Sequence, residues 1–340
     1  MCRAAAGRMA CKYAEMRITM NILILSCGTR DLLVRYFKNR ENGFDKVLGT
    51  DCSTYAPALY ETDAHYIVPR MTDPHYLDNI LSICRKEAVD AILPLQEDEL
   101  HLIATHKSLF TDAGVTPIVS DPESVDLCRD KFAFYEHLCQ NNLPTIPSCK
   151  TYSDFLIKQK EGSMQFPVFL KPVSGCGSIG IQKVDKPELL KALCTWQEEE
   201  YLIQNYAQGE EFGADIYIDL VSHKPVSVFV KKKLRMRAGE TEKSISYRDD
   251  ALFDLICRTV QTLHLAGPVD MDIFRIDGNY YISEINPRFG GGYPHAYSCG
   301  VNFPKLLSAN LSGKENADTI GAYEEGICML KYTDLMIGRF

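Results

Sequence analysis

From Met20 onward, short apolar runs alternate with stretches whose apolar positions recur at helical spacing. Asn21 to Ser26, Lys46 to Thr50 and Ala91 to Leu95 read as strands; Leu32 to Lys38 and a segment near Asp73 to Lys86 read as helices. This alternation predicts a parallel sheet with crossover helices, whose ligands sit outside the carboxyl ends of the strands. An amphipathic helix follows at Asp130 to Asn141, ended by the extended Leu143-Pro-Thr-Ile-Pro147. Strands at Phe166 to Lys171, Ile181 to Val184 and Tyr201 to Tyr206, with a helix at Pro187 to Trp196, predict a small second unit. From Gly213 the pattern gives two long strands and a helix at Asp249 to Leu265. A hairpin of Val269 to Phe274 and Tyr280 to Ile285 then turns at Gly278-Asn279, before a helix near Pro304 to Leu311.

The hairpin places Asp272, Glu284 and Asn286 on adjacent strands. Magnesium is hard, prefers oxygen, and is commonly held by one or two carboxylates together with substrate phosphates. Either carboxylate alone would as readily be a solvated hairpin charge, and their pairing favours ligation. Upstream, Lys171-Pro-Val-Ser-Gly-Cys-Gly-Ser-Ile-Gly180 has the composition of a phosphate cover. Gly175, Gly177 and Gly180 let backbone amides approach phosphate oxygens, and Ser174 and Ser178 add hydroxyl donors. Lys171 ends an apolar run, so its stem can follow a buried strand while the ammonium reaches a nucleotide. The loop matches neither the P-loop nor the dinucleotide pattern, and no Gly-x-Gly-x-x-Gly follows the first strand, which argues against NAD. At the strand ends of the first unit, Arg30 could bind a carboxylate and Glu97 or Glu99 an amine, although first-turn helix charges account for the acids equally well. The basic run between Val228 and Glu240 reads by itself as a solvated strand edge.

In this order the motifs resemble the ATP-grasp superfamily, nearest to carbamoyl phosphate synthase large-subunit halves and related carboxylate-amine ligases, over roughly residues 20 to 312. The resemblance implies an α/β ATP-grasp fold: a Rossmann-like pre-ATP-grasp substrate domain (20–125), a linker helix and lid subdomain (126–208), a C-terminal catalytic half (209–315) and a tail (316–340). ATP would lie between the lid and the catalytic half. It implies phosphate contacts from Lys131 and Lys171 and from the loop of Ser174, Gly175, Gly177, Ser178 and Gly180. Adenine would meet the strand carrying Gln204, Asn205 and Tyr206, and ribose would meet Glu211. Gln204 departs from the family, which often has a carboxylate there. Asp272, Glu284 and Asn286 would hold Mg2+, with Mn2+ as an alternative ion. Arg288 would contact an acyl phosphate. The resemblance also turns the basic run inward, setting Lys231, Arg235 and Arg237 near the transferred phosphoryl group and leaving open which of them faces it. Tyr293, after three glycines, is either a substrate contact or part of a turn. The activity implied is ADP-forming ligation of a carboxylate to an amine through an acyl phosphate. The alternatives are a carbamoyl phosphate synthase-like activation of bicarbonate and a non-catalytic ATP-binding regulator. The partners implied are small carboxylates and amines, with homo-oligomerisation left open.

Composition agrees with this picture. A chain of 340 residues with 46% hydrophobic content can build more than one core. A net charge of −8 argues against nonspecific nucleic-acid binding, and no apolar run approaches the roughly 18 residues of a membrane span. Thirteen cysteines, an odd number without C-x-x-C spacing, suggest the reduced thiols of a cytoplasmic protein, with Cys176 a small filler in the glycine loop. The eight histidines show no zinc spacing. Residues 1–19 read as an extension outside the fold, an over-extended start in preference to a transit-like leader.

Overall fold

The computed structural model describes residues 20–174, 180–196, 200–237 and 239–338. The first unit is the parallel sheet expected from the alternation. It comprises β1 (Asn21–Leu25), β2 (Lys46–Asp51), β3 (Ala64–Ile67), β4 (Ala91–Pro94) and β5 (Thr116–Pro117), in the order β3-β2-β1-β4-β5 with every pairing parallel. The central strand is apolar throughout because both its faces are covered. Ile22 and Ile24 enter one core, and Leu23 and Leu25 another. Helix α1 (Asp31–Lys38) packs Val34 and Phe37 into the first, while α2 (Tyr76–Glu87) packs Ile80 and Cys84 into the second. Helices α3 (Glu97–Thr105) and α4 (Lys107–Thr111) follow β4. Strand β3 escaped the sequence pattern because it is a four-residue edge strand with no buried residue.

Helices α5 (Pro122–Arg129) and α6 (Lys131–Gln140) lead out of this unit. The Asp130 carboxylate caps α6, accepting from the Phe132 and Ala133 N–H groups at 2.9 Å each. The next unit holds β6 (Ser148–Cys149), α7 (Tyr152–Lys160), β7 (Val168–Pro172), β8 (Gln182–Val184), α8 (Pro187–Trp196) and β9 (Tyr201–Asn205), with sheet order β6-β9-β7-β8. Sequence periodicity missed α7, whose one buried residue is Phe155. This unit is built around its own apolar cluster, which includes Phe155, Val168, Leu170, Val184, Leu190 and Ile203.

The last sheet is antiparallel. Strands β10 (Glu210–Ile218), β11 (Pro225–Arg237), β12 (Glu240–Tyr247), β13 (Gly267–Ile276), β14 (Asn279–Asn286) and β15 (Cys328–Leu330) run in the order β14-β13-β10-β11-β12-β15. Helices α9 (Asp250–Gln261), α10 (Tyr293–Ser298) and α11 (Phe303–Leu311) complete it. Its core is continuous with one face of the N-terminal sheet: Phe212, Ile216 and Phe229 belong to the same cluster as Ile22, Ile24 and Phe37. The first and last units are therefore joined by buried apolar surface, whereas the middle unit has a separate core. Among the described residues no helix is long and apolar enough to cross a membrane.

A buried carboxylate fixes the end of β10. Asp219 accepts hydrogen bonds from the Val221 and Ser222 N–H groups (2.9 and 2.8 Å), from Asn310 Nδ2 (2.7 Å), and from Asn316 N and Nδ2 (3.0 and 2.8 Å). Burial acts to raise its pKa, but these donors outweigh burial and hold it well below the usual carboxylate range. A depressed folded pKa gives stability that is full above the unfolded value of about 3.9 and lost as pH falls through the folded value. Asp219→Asn is expected to cost about 2–4 kcal/mol at neutral pH, because an amide nitrogen would face several donors. In urea titrations the gap from wild type should narrow below about pH 4, and a pH-independent gap would contradict this account.

Candidate functional site

Strand alternation builds the floor of the site. Along β13, Met271 and Ile273 are fully buried in the core, which turns Asp270 and Asp272 to the opposite face. On β14, Ile285 is buried between Glu284 and Asn286. The antiparallel register sets Asp272 opposite Glu284 and Asp270 opposite Asn286, so four oxygen-bearing side chains share one face. Asn286 Nδ2 donates to Glu284 Oε1 at 3.4 Å. Burial raises the pKa of both Asp270 and Glu284. The Asp272 charge adds to each shift, while Lys231 and Arg288 oppose it at Asp270 and Lys131 and Lys171 oppose it at Glu284. Asp270 was not singled out from the sequence, although the Asp-x-Asp spacing on a strand was the available signal.

Lysines reach this floor from β11 by crossing a glycine. Gly213 on β10 lies in register between Asp272 of β13 and Lys231 of β11. A Cβ at Gly213 would sit 3.1 Å from Lys233 Cε and 3.2 Å from Lys231 Cε, so both stems pass over the bare backbone. Lys233 Nζ donates to Glu211 Oε1 at 2.8 Å and to Asp272 Oδ1 at 2.6 Å, with its side chain only 5% exposed. Burial alone would lower its pKa, yet Asp272 and Glu211 hold it well above the usual lysine range. Lys233 went unnoticed because nothing in three consecutive lysines marks which crosses to a carboxylate. Lys231 instead forms a buried ion pair with Asp215. Lys232 points to the other face and pairs with Glu210. Arg235 and Arg237 are not brought to the floor: both are largely exposed and paired with Glu242.

The middle unit supplies the opposite wall. Lys171 near the end of β7 donates to Gln204 Oε1 at 2.8 Å, and Gln204 Nε2 donates to Ser148 Oγ at 3.1 Å. Burial lowers the Lys171 pKa; Glu284, Asp272 and Glu211 act against that shift and Lys131 adds to it. The two lysines therefore share one electrostatic environment with the carboxylates of the floor. Lys131 begins α6, and its N–H donates to the Val173 carbonyl at 3.1 Å. The Asn205 side chain bonds to Gln165 N and Ser163 O, and the Tyr206 ring packs against Phe169 with Lys183 Nζ 3.8 Å from its centroid. Ser174 is exposed, Gly180 has a left-handed φ of 74°, and Gly175, Cys176, Gly177 and Ser178 lie outside the described residues.

The N-terminal unit closes the third side. Arg288 donates to Glu97 Oε1 at 3.1 Å and stands 3.9 Å from Asp270 Oδ2, bridging the start of α3 to the floor. Arg30 lies 3.6 Å from Glu240 Oε1. Two predicted residues stand apart from this cluster. Glu99 is fully buried in the N-terminal unit, accepting from Ser26 Oγ at 2.9 Å and from the Tyr76 hydroxyl. Burial pushes its pKa up to about 7 although both bonds act the other way. Tyr293 is a core ring whose hydroxyl donates to the Val301 carbonyl and accepts from Phe303 N–H. A cavity of ≈ 210 Å³ lies among Lys233, Asp270, Asp272, Glu284, Arg288 and Glu97. A larger one of ≈ 700 Å³ adjoins it, sharing Arg30, Glu240 and Gly291.

Asp272, Glu284 and Asn286 offer only hard oxygen donors, a set suited to Mg2+ that leaves positions for water and phosphate oxygens. Among the described residues no group of three or more His, Cys, Asp or Glu side chains forms a self-sufficient metal cage.

Two family models match the chain: a PylC-like N-terminal domain at residues 22–118 and an ATP-grasp domain at residues 128–292. The arginine-specific large chain of carbamoyl phosphate synthase from Geobacillus stearothermophilus is 24% identical over 273 residues, covering 77% of this chain and 26% of that protein. The chain thus spans about a quarter of the length of such relatives. Among solved structures, the biotin carboxylase domain of Hydrogenobacter thermophilus 2-oxoglutarate carboxylase, in complex with MgADP, ADP and bicarbonate, superposes with a TM-score of 0.71 at 16% identity, over 90% of this chain and 73% of that one. An L-amino acid ligase from Bacillus licheniformis gives 0.64 at 19% identity, over 88% and 75%. At these identities the structural likeness shows a shared fold.

Because Lys231 and Lys233 both pass over Gly213, Gly213→Val is expected to destabilise the chain by about 1–3 kcal/mol through overpacking. An unchanged urea midpoint would mean that the lysines do not depend on this crossing.

Proposed function

The chain is an ATP-grasp protein with a PylC-like N-terminal domain, and from that premise we propose that it is an ADP-forming carboxylate-amine ligase. The observation that carries this reading is the meeting of Lys171 and Lys131 with Glu284, Asp272 and Glu211 in one electrostatic cluster. Cations on one wall and carboxylates on the other suit a metal-bound polyphosphate. The names of the relatives, a carbamoyl phosphate synthase and an L-amino acid ligase among them, support the same class.

In this reading Lys131, Lys171 and the loop of Ser174, Gly175, Gly177, Ser178 and Gly180 hold the phosphates. The strand of Gln204, Asn205 and Tyr206 holds adenine, and Glu211 holds ribose, with Lys233 fixing the Glu211 carboxylate. Asp272, Glu284 and Asn286 hold Mg2+, which when bound neutralises phosphate charge. Arg288, oriented by Glu97, faces the carboxylate substrate. A carboxylate oxygen attacks the γ-phosphorus, the bond to the β–γ bridging oxygen breaks, and ADP leaves with the electron pair. The amine nitrogen then attacks the acyl carbon, the carbon–oxygen bond to phosphate breaks, and the nitrogen loses a proton. The protein acts mainly by positioning and charge neutralisation, since a carboxylate is a poor acylating agent until its oxygen becomes a phosphate leaving group. The ten free cysteines among the described residues suit a reducing, cytoplasmic setting.

A carbamoyl phosphate synthase-like activation of bicarbonate is the second reading, favoured by the Geobacillus relative. The test is ADP release from Mg-ATP with pools of amino acids, other small carboxylates and bicarbonate, each with and without amines. The ligase reading expects stimulation by a carboxylate-amine pair without bicarbonate; bicarbonate dependence would transfer the assignment to the second reading. Glu284→Gln is expected to lower stimulated turnover roughly 100-fold or more. Survival of activity in that variant would overturn the metal assignment, and tight ATP binding with no stimulated turnover would indicate a regulator.

A further inference from the structure

The ≈ 700 Å³ cavity beside the phosphate-handling cleft falls within the roughly 300–1,000 Å³ typical of small-molecule sites. Three parts of the chain enclose it: α1 with Leu32 and Tyr36, the Gly290-Gly291 turn, and the C-terminal segment with Leu335 and Met336. At the junction with the smaller cavity stand Arg30 and Glu240. Their 3.6 Å separation is longer than a charge-assisted hydrogen bond, so Arg30 is only loosely held, while the other oxygen of Glu240, Oε2, accepts from Lys331 Nζ at 2.8 Å and leaves Oε1 facing the junction. Gly291 lies against both: a Cβ there would come within 2.7 Å of Arg30 Nη1 and 2.9 Å of Glu240 Oε1. Arg288 repels Arg30, and an anion between the two guanidinium groups would relieve that repulsion.

Farther from this junction the wall becomes apolar. Leu335 is 77% exposed and Leu32 39%, so the rim presents hydrophobic surface that a ligand could cover. The charged residues on the same rim largely satisfy one another, Arg35 lying 2.8 Å from Glu61 and 3.7 Å from Asp31. The cavity thus offers at one end a loosely held cation, Arg30, beside a carboxylate, Glu240, that Lys331 holds through one oxygen, and at the other end uncovered apolar surface.

We propose that this cavity binds an α-amino acid with a large apolar side chain. Its carboxylate lies on Arg30 toward the phosphates, its ammonium on Glu240, and its side chain between α1 and the C-terminal segment. The inference rests on the ligase reading for its consequence, since it names the carboxylate to be activated, but its binding geometry can be tested without turnover.

The experiment is calorimetric titration of the full chain with L-phenylalanine, L-leucine, glycine and phenylacetate in the absence of ATP. Phenylalanine and leucine are expected to bind roughly 10-fold or more tighter than glycine, which lacks the side chain. Phenylacetate, which lacks the ammonium, should also bind at least roughly 10-fold more weakly than phenylalanine. Leu335→Asp, at an exposed position, should abolish the preference for phenylalanine over glycine, and Arg30→Met should weaken every carboxylate ligand. Equal binding of glycine and phenylalanine, or a preference that survives Leu335→Asp in a folded variant, would overturn the proposal. If phenylalanine binds in this pattern but no pool stimulates ADP release, the pocket stands and the ligase reading fails. If polar acids or bicarbonate alone drive ADP release and phenylalanine does not bind, the pocket assignment fails independently of catalysis.

Discussion

Five carboxylates, Glu211, Asp215, Asp270, Asp272 and Glu284, crowd one face of the six-stranded sheet, and the surrounding structure answers their repulsion. Two unit charges 4 Å apart interact by about 4 kcal/mol at an effective dielectric of about 20, so such a face could not be left uncompensated. The cations come from separate parts of the chain: Lys231 and Lys233 cross from β11, Lys171 acts from β7 and Lys131 from the start of α6, and Arg288 follows β14. Glu97 then satisfies Arg288 from the N-terminal unit. The electrostatics therefore require all three units to converge, and the cleft is the place where they do.

The hydrophobic cores decide how freely that convergence can change. The N-terminal sheet and the six-stranded sheet share one apolar cluster, so separating them would expose residues such as Phe37, Phe289 and Phe303. The middle unit contributes Lys171 from a sheet stabilised by its own cluster. Across the cleft its Lys171 meets the charges of Glu284, Asp272 and Glu211, an electrostatic link between the two units. Under the proposed function, polyphosphate entering between its lysines and the carboxylates of the floor would strengthen that link, since it would place negative charge beside the lysines and beside any ion held by the carboxylates.

The parts of this arrangement legible in the sequence are those governed by local periodicity. Alternation on β13 and β14 puts Asp272, Glu284 and Asn286 on one face whatever the rest of the chain does, and the strand-helix alternation of the first unit specifies its parallel sheet. Helix α7 and strand β3 were missed because each is only weakly buried, leaving little periodic signal to read. The lysine run was ambiguous for a different reason. Alternation separates Lys232 from Lys231 and Lys233, but their partners depend on Gly213, which lies between β11 and Asp272 on β13, a fact of register across segments distant in sequence. Glu99 shows the converse: its position at a strand end suggested a substrate contact, while tertiary packing encloses it against Ser26 and Tyr76.

The same distinction separates the charged cleft from the adjoining cavity. Handling phosphate and metal demands fixed charges at fixed spacing, which strands supply through register and which a sequence motif can encode. Selecting a substrate body requires only apolar surface of suitable shape, and here that surface comes from α1 and a C-terminal segment roughly three hundred residues later in the chain. Neither carries a motif, because complementarity to an apolar group depends on volume and position more than on residue identity. The segment around Leu335 is also lightly packed, so substitutions there would change the cavity without disturbing the shared core. The charged floor and the apolar wall are thus held by different elements and different forces, so that either can change while the other stays constant.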